Sequence, residues 1–284
     1  MSVTACDHAS GTLRLRREGA VAWIILDRPQ RRNALSPQMW RSLPGLLREL
    51  DEDPTVRVVG LRGAEGTFSA GADLSETFDC LGEPDTGLPR GGLLTAAEEA
   101  LHQTRKPTLA ALEGHCMGGA WMLAGACDLR IATASARIGL TPAKLGIIFP
   151  ASGVESLVRL VGPGRASYLL LTGNTVTAPV ALDWGMLTEV VPEGEFEESV
   201  SDLVSTLSRR SQLTMQAHKH LIRQSVVDHG GAVPVGRDET SAALYREVLT
   251  GPDAQIGLTA FRQKAAPDFE WSGEEFWRDR RPRD

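Results

Sequence analysis

The 284-residue chain carries 36 acidic and 30 basic side chains, and a formal charge of −6 argues against a surface built mainly to hold nucleic acid. Its apolar fraction of 42% and charged fraction of 23% are those expected of a soluble globular protein with one large domain, or one domain and an appendage. No apolar run approaches the ~18 residues of a membrane span. The N-terminus Met1-Ser-Val-Thr-Ala-Cys-Asp-His lacks the basic-then-apolar build of a signal peptide, so a cytoplasmic protein with neither membrane nor nucleic-acid partner is expected. Four cysteines (Cys6, Cys80, Cys116, Cys127) are scattered without metal-ligand spacing, which fits a reducing compartment and no metal. The basic run Arg278 to Arg283 reads as a solvated end.

In chain order, Leu13–Arg16 alternates apolar and basic residues, and Val21–Leu26 is continuously apolar. Separated by Glu18-Gly19, they predict a hairpin whose second strand is buried. Ser36-Pro37 starts a helix to about Asp51, with a hydroxyl cap and proline at the first position. Val56–Leu61 is the next buried strand, and the small-residue stretch Arg62–Leu74 leaves backbone exposed where it ends. Cys80–Gly92 is a proline- and glycine-bearing loop, a cover over a site or a tolerated insertion. A helix over Leu93–Thr104 follows. Ile138–Phe149 is mostly irregular, and two helices break at Gly162-Pro163. Thr177 caps a helix over Ala178–Trp184, and Leu187–Val191 is a last strand before an almost wholly helical C-terminal part. Strands alternating with helices predict an α/β core with parallel strands.

The stretch Leu109 to Asp128 organises the rest. It reads as a buried strand, a glycine turn at Gly118-Gly119, and a helix leading to a second apolar run, Leu129–Ala132. Without a Cβ the turn can approach a ligand closely. The first amides of the helix lack intrahelical partners and carry the positive dipole end, so a developing negative oxygen is favoured there. Asp128 reads as a helix-end hydrogen-bonding residue.

The pieces Asp27-Arg-Pro-Gln-Arg-Arg-Asn-Ala-Leu35, Phe68-Ser-Ala-Gly-Ala-Asp-Leu74, Gly118-Gly-Ala to Ala126-Cys-Asp128 and Leu145-Gly-Ile-Ile148 occur in a telling order. Leu171-Thr-Gly173, Ala181–Leu187 and Ala260-Phe-Arg-Gln-Lys264 follow. Together they resemble the crotonase, or enoyl-CoA hydratase/isomerase, superfamily from about Leu13 to Phe269. The resemblance implies a spiral of ββα units over residues 1–194, holding an acyl-CoA site. A helical C-terminal oligomerisation region over 195–284 would build a homotrimer or homohexamer. Coenzyme A enters as part of the substrate, with no permanently bound cofactor. The Ala72 and Gly119 amides would hold the thioester oxygen and stabilise an enolate. The coenzyme would lie along Arg32, Ala34 and the turn Ala70 to Leu74, which includes Asp73, with adenine against backbone groups. Phe261 and Lys264 match an aromatic–basic pair that reaches a neighbouring subunit's nucleotide; without that role they are part of an ordinary amphipathic helix.

One departure governs the chemistry. Family members that hydrate enoyl thioesters carry two glutamates that hold and deprotonate water, and here those positions are Met122 and Pro142. Neither takes a proton, and losing one general acid–base costs about 10²–10⁴-fold. Ile147–Gly153 holds no carboxylate either. The expected pocket, Trp121, Met122, Pro142, Ile148 and Phe149, is apolar. His115 is the leading substitute catalyst, and Cys116, Glu113, Glu76, Asp79 and Lys144 are others nearby; for each a core or turn role competes. Glu155 reads as an exposed helix residue. The first reading is thus an enzyme working through a thioester enolate, not efficient as a 2-enoyl-CoA hydratase. Decarboxylation of a malonyl-type thioester makes an enolate without a base. Thr141–Gly146 is similar to methylmalonyl-CoA decarboxylases, which however carry histidine at Ala72 and tyrosine at Phe149. Isomerisation with a substitute base is the alternative, and a non-catalytic acyl-CoA binder is the reading from another class.

Overall fold

The computed structural model describes residues 4–8, 12–81, 92–227, 235–278 and 280. Of the expected loop Cys80–Gly92, residues 82–91 lie outside these residues, as does most of the basic C-terminal run. The two ends of that loop are helical, Cys80 and Leu81 closing one helix and Gly92 opening the next. The hairpin forms as its patterning requires: β2 (Leu13–Glu18) pairs antiparallel with β3 (Val21–Leu26), and all six residues of β3 are buried. A strand that the sequence did not signal, β1 (Thr4–His8), adds antiparallel to the β2 edge. From β3 the sheet continues in parallel through β4 (Val58–Gly63), β5 (Thr108–Leu112), β7 (Leu129–Thr133) and β10 (Glu189–Val191). Strands buried on both faces must be apolar throughout, which is why β3, β4 and β5 show no alternation.

The helix α1 (Pro37–Glu52) starts where expected: the Ser36 hydroxyl accepts from the Met39 amide at 3.3 Å, with Pro37 in the first turn. Met39, Trp40, Leu43, Leu46, Leu47 and Leu50 form its buried face. With α2 (Thr77–Leu81) and α3 (Gly92–Gln103), it covers the large core on one side of the sheet. A second, three-stranded sheet of β6 (His115–Met117), β8 (Arg137–Gly139) and β9 (Thr175–Thr177) turns the chain away from the first. Its strands are three residues each, too short for a period to show. The stretch expected to be mostly irregular therefore contains β8 and a short α5 (Pro142–Leu145). The next helix, α6 (Ala151–Thr172), kinks at Gly162 (φ 78°) before Pro163, matching the expected break.

After α7 (Ala178–Asp183) and β10, the helical part does not begin as a separate layer. In α8 (Phe196–Arg209), Phe196, Val200 and Val204 pack on the other sheet face with Trp23, Val58 and Ile131. A break in packing falls later: α9 (Gln212–Val227), α10 (Glu239–Thr250), α11 (Asp253–Gln263) and α12 (Glu274–Arg278) hold their own small cluster of Leu213, Ala243, Leu244 and Phe276. A partly buried ion pair ties them back. Lys219 of α9 pairs with Asp128, and Asp128 accepts from the Thr108 amide (2.7 Å) and hydroxyl (2.8 Å). Asp128 is thus a hydrogen-bonding residue at the end of α4 (Gly119–Ala126).

Candidate active site

Two backbone turns at the ends of buried strands build the site. The first follows β4. Asn33, buried with φ 56°, donates its side-chain amide to the Ala64 and Thr67 carbonyls and accepts from the Arg28 amide. The Ser69 hydroxyl donates to the Asn33 carbonyl at 2.7 Å and accepts from the Gly71 amide at 3.0 Å. Leu35 then donates its amide to the Gly71 carbonyl and accepts from the Asp73 amide, bracketing Ala72. The chain at residues 69–73 is held from both sides, with Gly71 at φ 101°, a conformation open to glycine alone.

The second turn leads from β6 into α4. Met117 donates its amide to the Ser69 carbonyl and Gly118, at φ 52°, donates to the Gly139 carbonyl. The turns are in contact: a Cβ on Gly71 would stand 2.6 Å from the Met117 oxygen and 3.5 Å from the Gly119 nitrogen. Among the described residues, the Ala72 and Gly119 amides have no backbone acceptor, while those of Asp73, Met117 and Gly118 do and that of Gly71 donates to the Ser69 hydroxyl. Gly119 is the first residue of α4, so its N–H sits at the positive end of that helix. Two preorganised donors facing one spot are suited to an oxygen gaining negative charge.

Both amide-bearing residues line a cavity of about 160 Å³, closed by Leu74, Leu94, Pro142, Ile148 and Phe149. It adjoins an apolar groove of about 560 Å³ along Phe78, Leu81, Ile147, Ala151 and Val154. Among the described residues, no side chain lining either space carries a charge. Phe78 and Ile148, 80% and 85% exposed, are large apolar side chains held in solvent at the groove rim.

The remaining expected residues divide. Pro142, Ile148 and Phe149 line the cavity; Trp121 and Met122, expected in its floor, do not. Only the N-terminal end of α4 meets the cavity, and every residue from Gly119 to Ala124 is buried, so Trp121 and Met122 belong to the core. Met122 stands against Gly153 beside Phe149. His115 has an exposed side chain on β6 and does not line the cavity; its carbonyl, accepting from the Ser69 amide, is what serves the site. Cys116, one step along the strand, faces the core, where burial pushes its thiol well up. Glu113 pairs with Arg62 at 3.3 Å, and Glu155 with Arg159. Glu76, Asp79 and Lys144 are exposed and outside the cavity wall.

Along the expected coenzyme path, Ala70 and Leu74 line the cavity and Arg32 is exposed. The amides of Arg32, Ala34 and Ala70 are engaged by Pro29, Arg31 and Arg32 carbonyls, which leaves carbonyl oxygens as the groups free to take another bond. Asp73 is buried. Its carboxylate accepts from the Ser75 hydroxyl (2.7 Å) and pairs with Arg28 (3.0 Å), so it braces the turn from behind. Phe261, 84% exposed, and Lys264, at the left-handed end of α11, do not border this cavity within the chain.

One buried carboxyl escaped the sequence reading. Glu98 of α3 is 1% exposed, and neither of its oxygens has a hydrogen-bond partner. The His102 ring lies 4.0 Å away, and burial lowers its pKa to about 4, so it offers no standing charge near neutrality. Burial raises its pKa; the Ser152 and Ser156 hydroxyls stand near enough to temper the rise without forming a bond, and Glu99 and Glu155 add to it. The signal was present: Leu94, Glu98 and Leu101 share one helical stripe, and a carboxylate on an apolar stripe is an anomaly.

Residues 16–272 match the family model for enoyl-CoA hydratase/isomerase. The chain is 32% identical to the 2,3-dehydroadipyl-CoA hydratase of Escherichia coli, covering 89% of this chain and 96% of that one. It is 34% identical to a carnitinyl-CoA dehydratase of Salmonella arizonae, covering 93% and 99%. A solved structure of an enoyl-CoA hydratase/isomerase family member superposes with a TM-score of 0.83 at 39% identity, covering 95% of this chain and 96% of that one.

Proposed function

We propose, from the premise that the chain belongs to the enoyl-CoA hydratase/isomerase family, that it is an acyl-CoA enzyme working through a thioester enolate and not through activated water. The thioester oxygen lies between the Ala72 and Gly119 amides. The observation that carries this reading is that, among the described residues, two amides without a backbone acceptor meet a cavity that no carboxylate lines. A hydratase needs a charged group to activate water beside the acyl chain; Met122 is buried outside the wall and Pro142 has no proton to give.

Coenzyme A arrives as part of the substrate. Its adenine lies along Arg32, Ala34 and Ala70, donating its amino hydrogens to backbone carbonyls, since the amides there are engaged. The acyl tail runs past Phe149 into the groove lined by Phe78, Leu81 and Ile148. Phe261 and Lys264 serve a neighbouring subunit's coenzyme. The exposed Ile222, Leu249 and Leu258 of the C-terminal helices support their burial in a homotrimer or a dimer of trimers. Decarboxylation of a malonyl-type thioester and double-bond migration both pass through the enolate these amides would hold.

The test is mass spectrometry of saturated, 2-enoyl, 3-enoyl and malonyl-type acyl-CoAs incubated with the protein in heavy water. Deuterium at the α-carbon or loss of carbon dioxide is the expected outcome. Fast gain of water on the enoyl species overturns the reading. If every thioester survives unchanged but raises the melting temperature, the chain is a binder.

A further inference from the structure

Among the described residues no acid or base lines the cavity, yet any enolate must gain or lose a proton at carbon. We infer that Glu98 supplies that proton through the Ser152 hydroxyl, from behind the cavity wall. The inference rests on the enolate reading above.

The geometry comes from α3 and α6 together. Leu94 and Pro150 line the cavity, and Thr95 and Ser152, one and two residues further along, join hydroxyls at 3.0 Å just behind that wall. Glu98 lies one turn deeper on the α3 face that carries Leu94 and Thr95, with Ser152 and Ser156 of α6 beside it. The stripe of Thr95, Glu98, Ser152 and Ser156 is a polar seam inside an otherwise apolar interface. A buried carboxyl with no hydrogen-bond partner on either oxygen opposes folding. No stabilising contact explains its presence. Burial raises its pKa and so favours the protonated form, the one that gives a proton away.

The step balances. As the enolate collapses, its carbon–carbon π electrons take the Ser152 hydroxyl proton to form the α C–H bond, and the Glu98 proton passes to the Ser152 oxygen, leaving a carboxylate. In reverse, the C–H bond breaks and its electrons return to the enolate. The proton goes to the Ser152 oxygen, whose own proton goes to Glu98. Glu98 acts through Ser152 and is a positioning and relay residue; Thr95 fixes the hydroxyl's orientation.

The experiment follows deuterium uptake at the α-carbon of a saturated acyl-CoA, together with its Kd and the Tm, for wild type, Glu98→Gln, Glu98→Leu and Ser152→Ala. Glu98→Gln and Ser152→Ala are expected to slow exchange by about 10²-fold or more while leaving Kd unchanged. Glu98→Leu is expected to lose exchange and raise Tm. Unchanged exchange in Glu98→Gln overturns the inference, as does a joint fall of exchange, affinity and Tm, which marks Glu98 as structural. If wild type neither exchanges an α-hydrogen nor decarboxylates any thioester, the enolate reading falls as well; if the relay alone is wrong, wild type and Glu98→Gln exchange alike.

Discussion

Gly71 lies against the Met117 carbonyl so closely that a Cβ on Gly71 would stand 2.6 Å from that oxygen. The contact sets the separation of the two turns that carry the Ala72 and Gly119 amides. Gly71→Ala is therefore expected to push them apart. It also forces a φ of 101° on a residue with a side chain, a strain of about 1–3 kcal/mol. Thermal unfolding should show the lower stability, and calorimetry with an unreactive acyl-CoA should show a larger loss of affinity than Tm alone accounts for.

Asp73 gives the site a dependence on acid. The Ser75 hydroxyl, and after it the Arg28 guanidinium, holds the Asp73 carboxyl below the usual carboxylate range. A depressed folded pKa stabilises fully above the unfolded value of ~3.9 and is lost as pH falls through the folded one. Asp73→Asn should lower Tm at pH 7, and the gap from wild type should close as pH drops below about 4. A gap constant from pH 7 to pH 3 would show that the carboxylate charge is irrelevant there.

Met122→Glu is expected not to create a hydratase. The new carboxyl would sit among core residues beside Gly153 and Phe149 without a cation, at a cost of about 3 kcal/mol or more if ionised. Denaturant melts should record the destabilisation, and coupled assays with a 2-enoyl-CoA should record no gain in hydration.

Ile148→Asp places a charge on a side chain that is 85% exposed, so stability should change by no more than about 0.5 kcal/mol. If the groove holds the acyl tail, KM for long apolar thioesters should rise while that for acetyl-CoA-sized substrates stays put. His115→Ala should leave both unchanged, because that ring does not line the cavity.

The parts of this molecule legible in its sequence are those where one physical demand acts alone. Doubly buried strands spell out Val21–Leu26, and a hydroxyl followed by proline marks the start of α1. The glycine turns carried their own signal, since a φ above zero calls for glycine at positions 71 and 118 and close backbone approach does so again at 71. What sequence missed depended on which way a side chain points. Trp121 and Met122 lie within four residues of an oxyanion amide, but α4 meets the cavity end-on and turns them into the core. His115 precedes the turn, yet strand alternation sends its ring outward. Glu98 is distant in sequence from the glycine turn and lies behind the same wall only because α3 and α6 pack together there.

The central claim is that the Ala72 and Gly119 amides polarise a thioester. Isotope-edited infrared difference spectroscopy measures it directly, with the carbonyl carbon of a bound, unreactive acyl-CoA labelled as carbon-13. The account predicts that the labelled stretch moves to markedly lower frequency on binding than in water, as two strong donors lengthen the C=O bond. A bound carbonyl at or above its frequency in water would contradict it.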